Sequence, residues 1–129
     1  MQDLQKAEIA KALSELAERI KRSYATNDAG LYLSGFDKDA IVSMPNAAPI
    51  RGHEALRTAF ENRPALPPGA TFEVKPLELE ALSADWAYAF GTDKLTFADG
   101  KTETMTFLVL IRKTTAGWKT FREVVSTDQ

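Results

Sequence analysis

Phe72-Glu73-Val74-Lys75-Pro76-Leu77-Glu78-Leu79-Glu80-Ala81 decides the fold class. Phe72 and Val74 alternate with Glu73 and Lys75, the period of two expected for a half-buried strand. At Pro76 the phase slips by one residue, so that Leu77, Leu79 and Ala81 are apolar while Glu78 and Glu80 are charged. A slip of this kind at a proline predicts a β-bulge, and bulges bend a sheet. Downstream the strand signals continue. Ser83-Ala84-Asp85 turns into a strand over 86–97, and Asp99-Gly100 marks a hairpin into a strand over 101–114. Thr115-Ala116-Gly117 turns into a last strand over 118–127.

Upstream of this stretch the period changes. Ile9, Leu13, Leu16, Ile20 and Tyr24 recur at steps of three and four, placing them on one stripe of a helix over about 4–25. Asp28 is a suitable N-cap for a short second helix carrying Leu31, Leu33 and Phe36. Asp37-Lys38-Asp39 is expected to turn the chain into a brief strand over 40–44. A third helix over 53–62 has Leu56 and Phe60 on one face, and the proline-rich segment 63–69 is a connection. Three helices followed by a meander of long antiparallel strands predict an α+β fold, with the helices packed on one face of a curved sheet.

Composition bounds what such a domain can do. The 129 residues suit a single domain, 1–129, and 44% hydrophobic with 26% charged residues is ordinary for a globular chain. A net charge of −2, with no concentrated basic patch, argues against nucleic acid and against an anionic membrane surface as partners. Cysteine is absent, so thiol nucleophiles, disulfides and Cys-ligated metals are excluded. A lone histidine, His53, leaves no His-rich metal site, and its place at a helix start suits a capping role. No metal and no organic cofactor is expected. No apolar run reaches the ~20 residues of a membrane span, and the opening of the chain resembles no leader peptide. The expectation is a cytoplasmic protein.

Several segments carry a family resemblance in order and spacing. They are Gly35-Phe36-Asp37-Lys38-Asp39-Ala40-Ile41-Val42 leading to Met44-Pro45, Ile50-Arg51-Gly52-His53-Glu54-Ala55-Leu56, Asp85-Trp86-Ala87-Tyr88-Ala89-Phe90-Gly91 and Ala116-Gly117-Trp118-Lys119. Together with the long first helix ending at Asn27-Asp28, they make the chain resemble the NTF2-like superfamily, in its SnoaL-like and ketosteroid-isomerase-like branch. The resemblance implies a cone-shaped, cystatin-like fold whose curved sheet wraps the first helix around an open apolar cavity. It also implies a homodimer through the outer sheet face. Independent support for the dimer comes from residues 105–111, where both alternating sets are apolar. Leu108 and Leu110 would then face outward beside Phe121 and Val125, and Ala87, Ala89 and Gly91 would let a partner approach closely.

In the register that the resemblance implies, Trp86, Tyr88, Phe90 and Thr92 face the cavity from one strand. Met105, Phe107, Val109 and Ile111 face it from the next, and Thr120, Arg122 and Val124 from the last. Tyr24, Phe36, Met44 and Phe60 would line it from the helices and first strand. The candidate ligand-binding set is therefore Arg122, Tyr24, Tyr88, Trp86, Thr92, Thr120, Met44, Phe36, Phe60, Phe107 and Val109. An arginine in an apolar cone needs an anion or acceptor, so Arg122 would recognise an oxyanion on the ligand. The competing assignment for Arg122 is an internal salt bridge to Glu103 or Asp93, or a wet rim position.

The catalytic patterns of the resembled branches are incomplete. Aligned on the steroid isomerases, the base position is Met44 and the two donor positions fall at Ile20 and Val109, all apolar. An epoxide-hydrolase arrangement would need two inward carboxylates beside Arg122, and none is evident in this register. The acids nearest to a polyketide-cyclase role, Asp37 and Asp39, fall in an expected wet turn. No catalytic residue is assigned. The function expected is binding of a small apolar or aromatic molecule, with an anionic group if Arg122 faces inward. If there is catalysis, it would be cofactor-free isomerisation, cyclisation or hydrolysis. The alternative is a non-catalytic dimerisation or interaction module whose cavity is filled by its own side chains.

Overall fold

The computed structural model describes residues 2–127. Helix α1 (Gln2–Thr26) precedes a five-residue helix α2 (Ala29–Leu33), strand β1 (Phe36–Ser43), a two-residue strand β2 (Ile50–Arg51) and helix α3 (Gly52–Glu61). Four long strands follow: β3 (Thr71–Ala81), β4 (Trp86–Thr96), β5 (Thr102–Thr114) and β6 (Gly117–Thr127). They form one six-stranded sheet in the order β2-β1-β6-β5-β4-β3. The meander β3 to β6 is antiparallel, as its hairpin signals require, whereas β1 lies parallel to β6. The segment 37–39, expected to be a turn, belongs to β1.

Local sequence accounts for most of these boundaries. Asp28 caps α2 by accepting a hydrogen bond from the Leu31 N–H at 3.0 Å. Asn27, in the left-handed region at φ 55°, ends α1. The stripe on α1 divides by task. Ile9 and Leu16 are buried against the sheet, while Leu13, Ile20 and Tyr24 stay partly accessible. Ile9 and Leu16 join Ala87, Ala89, Phe107, Val109, Ile111 and Val125 in the main core. Each fully buried Leu or Ile contributes about 2 kcal/mol. A second cluster, Leu33, Phe36, Ala40, Val42 and Leu56, fastens α2 and α3 to β1. His53 serves the same junction, its Nε2 lying 2.8 Å from the Phe36 carbonyl.

Besides a register shift between Phe36 and Ile41 on β1, two bulges shape the sheet. The first lies between Pro76 and Glu78 on β3, where the sequence predicts it, and it leaves Leu77 exposed. Just before the bulge, β3 crowds Gly91 on β4. A Cβ there would collide with the Lys75 carbonyl and come within 2.8 Å of the Phe107 ring, so only glycine fits this crossing. The second bulge was not legible in the sequence. Opposite Leu110 and Ile111 stand Arg122 and Thr120, which makes Phe121 an extra residue in β6.

These two features reverse several expected orientations. On β4 the buried alternating set is Ala87, Ala89, Gly91 and Asp93, so Trp86, Tyr88, Phe90 and Thr92 point to the outer face. These small residues face the core and the cavity, with Gly91 crowded by Lys75 and Phe107, so they do not serve a partner's approach. On β6 the Phe121 bulge shifts the phase. Thr120, Glu123 and Val125 face inward, while Arg122 and Val124 face outward. Val125, expected outside, belongs to the core. Asp37 is buried rather than wet, and it is paired with Arg112, whose Nε donates to it at 3.2 Å.

Candidate functional site

The concave side of the sheet does not close on α1. Between them lies a cavity of about 620 Å³, within the range of small-ligand sites. Tyr24, Phe36, Met44, Phe60, Phe107, Val109 and Thr120 of the expected set line it. Met105 lines it too, as expected of its strand. Ile111 is fully buried in the core instead. The cone is therefore hollow rather than filled by its aromatic residues.

Arg122, Tyr88, Trp86 and Thr92 do not reach this cavity. The Arg122 guanidinium donates to the carbonyls of Asp39 (3.0 Å) and Phe121 (2.8 Å) and stacks on the Phe121 ring at 3.9 Å. Tyr88 donates its hydroxyl to Glu78 on the neighbouring strand. Trp86 packs edge-on to Phe121 at 5.1 Å, with the Arg112 guanidinium 5.6 Å from its ring. An internal salt bridge from Arg122 to Glu103 or Asp93 is likewise not formed; its acceptors are backbone carbonyls on the outer face.

Two carboxylates take the place of the expected arginine. Asp93 faces the cavity from β4 and Glu123 from β6, with β5 between them. In register, Asp93 stands opposite Met105 and Glu123 opposite Val109, four residues further along β5. The two groups thus approach the cavity from separate places on its wall. Burial pushes Asp93 up to about 6. Glu123 retains some accessible surface through the open cavity. The protein around its carboxyl, together with the negative charge of Asp93, nonetheless pushes it up to about 7. No donor among the described residues hydrogen-bonds either carboxylate.

Aromatic residues form another part of the wall. Tyr32 stacks on Phe60 at 4.8 Å and on Tyr24 at 6.1 Å, and its ring lies 4.9 Å from Phe36. Burial raises both phenols above their ordinary value, and the Glu123 carboxylate adds to the effect. Arg63 caps this cluster, 3.9 Å above the Phe60 ring and 4.9 Å from Tyr24. Its guanidinium is already engaged with the Phe60 carbonyl (2.7 Å), the Tyr24 carbonyl (3.5 Å) and Asn27 Oδ1 (3.2 Å). Its charge acts on the two phenols.

Chemically this is an apolar chamber lined by two weak acids and two phenols. Carboxyl groups titrating near neutrality can hold or accept a proton at physiological pH. Met44, Ile20 and Val109 all line the chamber, so the positions aligned with isomerase base and donors are indeed apolar. The acids stand elsewhere. Asp93 was missed because the apolar outer set of β4 masks its phase, and Glu123 because the Phe121 bulge has no signature in sequence. Among the described residues no group of three histidine, aspartate or glutamate side chains is placed to hold a metal ion.

No family model matches the chain, and no curated protein matches it in sequence. Solved structures match it throughout. A ketosteroid isomerase-like protein from Erwinia carotovora atroseptica is 22% identical, with TM-score 0.74, covering 97% of each chain. An NTF2-like protein with a cystatin-like fold from Novosphingobium aromaticivorans is 17% identical with TM-score 0.81, covering 98% of this chain and 86% of its own. LinA is 17% identical with TM-score 0.79, covering 100% of this chain and 92% of its own. With its curved sheet facing α1 and a cavity between them, this chain has the NTF2-like, cystatin-like fold.

Proposed function

We propose that this protein binds a small, largely apolar or aromatic molecule in its cone and performs cofactor-free proton transfer on it. Asp93 and Glu123 act as the acid–base pair. The observation that carries the reading is the pair itself. Two carboxyl groups without a cation or donor, facing an apolar cavity, reduce stability by being buried. Such an arrangement is common where a reaction needs a proton held or accepted near neutral pH. Isomerisation, cyclisation and hydrolysis can each use such a pair flanking the substrate. Tyr24 and Tyr32 supply further hydrogen-bonding groups to the same space. An anionic ligand anchored by Arg122 loses its basis, because that side chain lies outside the cavity.

Among the described residues no helix is long and apolar enough to cross a membrane. We take the protein to be cytoplasmic on its composition, and homodimeric through its outer sheet face. Phe90, Leu108 and Val124 are mutual neighbours across β4, β5 and β6, and they are 40%, 47% and 50% exposed. A row of apolar side chains across three strands suits a second copy related by a two-fold axis. The hollow cavity favours binding over the alternative of a filled interaction module.

A thermal-shift screen of neutral, anionic and cationic aromatic compounds tests the reading, followed by turnover assays on the class that binds. A ligand at a hundredfold excess over its dissociation constant stabilises by about 2.7 kcal/mol. Turnover lost in both Asp93→Asn and Glu123→Gln, with binding retained, is the expected result. Turnover retained in both variants rejects the acid–base assignment.

A further inference from the structure

We propose that the cone selects an organic cation, a compact aromatic or alicyclic amine whose ammonium group seats between Asp93 and Glu123. This rests on the cavity being a ligand site and adds the charge and chemical class of what it takes.

Charge placement is the first support. Every titratable group facing the carboxylates from the surrounding elements is accounted for. Helix α1 contributes Glu18, Lys21 and Tyr24; α2 contributes Tyr32; the segment after α3 contributes Arg63. Lys21 and Glu18 belong to the solvent-exposed side of α1. Arg63 is held against Phe60 by stacking and by the backbone carbonyls of Phe60 and Tyr24. Away from the exposed rim, where Lys21 and Glu18 stand, the lining carries the two acids and no unengaged cation among the described residues. Where both acids are ionised, an anionic ligand would add a third negative charge to a low-dielectric space, and a neutral one would leave them uncompensated. An ammonium group supplies the missing charge and up to three donors, which two carboxylates and two phenols can accept.

The lining supplies the second support. Away from the acids the wall is made of Leu13, Ile20, Phe72, Val74, Met105 and Val109, which suits a ring or short hydrocarbon body. The acids stand four residues apart in register on either side of β5, and they do not pair with each other. Binding is proton-linked. Near pH 6.5 both carboxyls are partly protonated, so an incoming ammonium displaces protons to solvent. At pH 8 both are ionised and the preference for a cation is largest; at pH 5 both are mostly neutral and it fades.

The test is isothermal titration calorimetry on the intact protein with benzylamine, benzyl alcohol and benzoate, three probes of one shape and different charge. At pH 8 benzylamine should bind about tenfold or more tightly than benzyl alcohol, with benzoate weakest. The preference should shrink to about threefold or less at pH 5, and also in Asp93→Asn with Glu123→Gln. Titrations at pH 6.5 in two buffers of different ionisation enthalpy should show protons released on benzylamine binding. Both variants replace a carboxyl by its neutral isostere, so retained folding is checked by the melting transition. Benzyl alcohol or benzoate matching benzylamine at pH 8 overturns the amine assignment and leaves the cavity reading standing. Amine preference persisting in the double variant overturns it as well. If none of the three binds at any pH, the ligand-site reading falls with it.

Discussion

Glu123 on β6 and Asp93 on β4 line one apolar cavity with β5 between them, and the charge of Asp93 helps keep the Glu123 carboxyl protonated near neutral pH. Neither has a hydrogen-bond donor among the described residues. The arrangement reduces stability in a way that depends on pH, and it gives the chamber its chemistry.

The sign of that dependence follows from linkage. Asp93 at about 6 and Glu123 at about 7 both lie above their ordinary values of 3.8 and 4.5, so the folded state holds more protons between about pH 4 and 7. Their contribution to stability is greatest below pH 4, declines as pH rises through 7, and is level above. The decline amounts to about 3 kcal/mol per site. Asp93→Asn and Glu123→Gln should each be more stable than wild type at pH 8 and similar at pH 4. Urea midpoints at the two pH values measure this; equal differences at both would reject the assignment.

Asp37 behaves oppositely. Burial alone would raise its carboxyl, but the Asp39 N–H and the Arg112 guanidinium outweigh burial and hold it below the ordinary range. Its contribution is present at neutral pH and is lost as pH falls below about 4. Arg112→Ala leaves this buried carboxylate without its cation and should cost about 2–3 kcal/mol at pH 7. The loss should shrink in acid. An unchanged unfolding midpoint at pH 7 would contradict the pairing.

Gly91→Ala should destabilise the fold by about 2 kcal/mol, because the new methyl group meets the Lys75 carbonyl and the Phe107 ring. A crowding effect of this kind appears in chemical denaturation at every pH. Ala89→Gly, one pleat away and without that collision, serves as the comparison for a change confined to the same face.

Arg122→Ala should change stability by less than about 1 kcal/mol and leave ligand-induced stabilisation intact, since the guanidinium stacks on Phe121 outside the cavity. Tyr24→Phe should weaken binding of any ligand that hydrogen-bonds to the phenol. The two variants compared in one thermal-shift titration test the assignment; loss of binding in Arg122→Ala alone would return that arginine to the site.

Leu108→Glu places a charge in the middle of the exposed row formed with Phe90 and Val124. If a second copy covers this face, the variant should run as a monomer in size-exclusion chromatography with light scattering while the wild type runs as a dimer. A monomeric wild type would reject the interface.

The order of elements, the α1 stripe, the Asp28 cap and the bulge at Pro76 were all legible in the sequence. Each is a local matter, settled by residues within a few positions of one another. A period of two reveals which residues share a face. It also assigns that face to the core when one set is polar, as with Phe72 and Val74 against Glu73 and Lys75. On β4 the test fails, because Trp86, Tyr88 and Phe90 alternate with Ala87, Ala89 and Gly91, and both sets are apolar. Space decided the outcome there. At Gly91 the Lys75 carbonyl and the Phe107 ring admit no side chain, so the aromatic set lies outside and Asp93, two residues on, lies inside. On β6 an extra residue at Phe121 has meaning only relative to its partner strand, so the exchange of Arg122 for Glu123 was invisible without β5 beside it. Local sequence determined the elements and their cone; the acid pair within it was decided by tertiary contact, because side-chain direction in a two-sided sheet is set by what each face packs against.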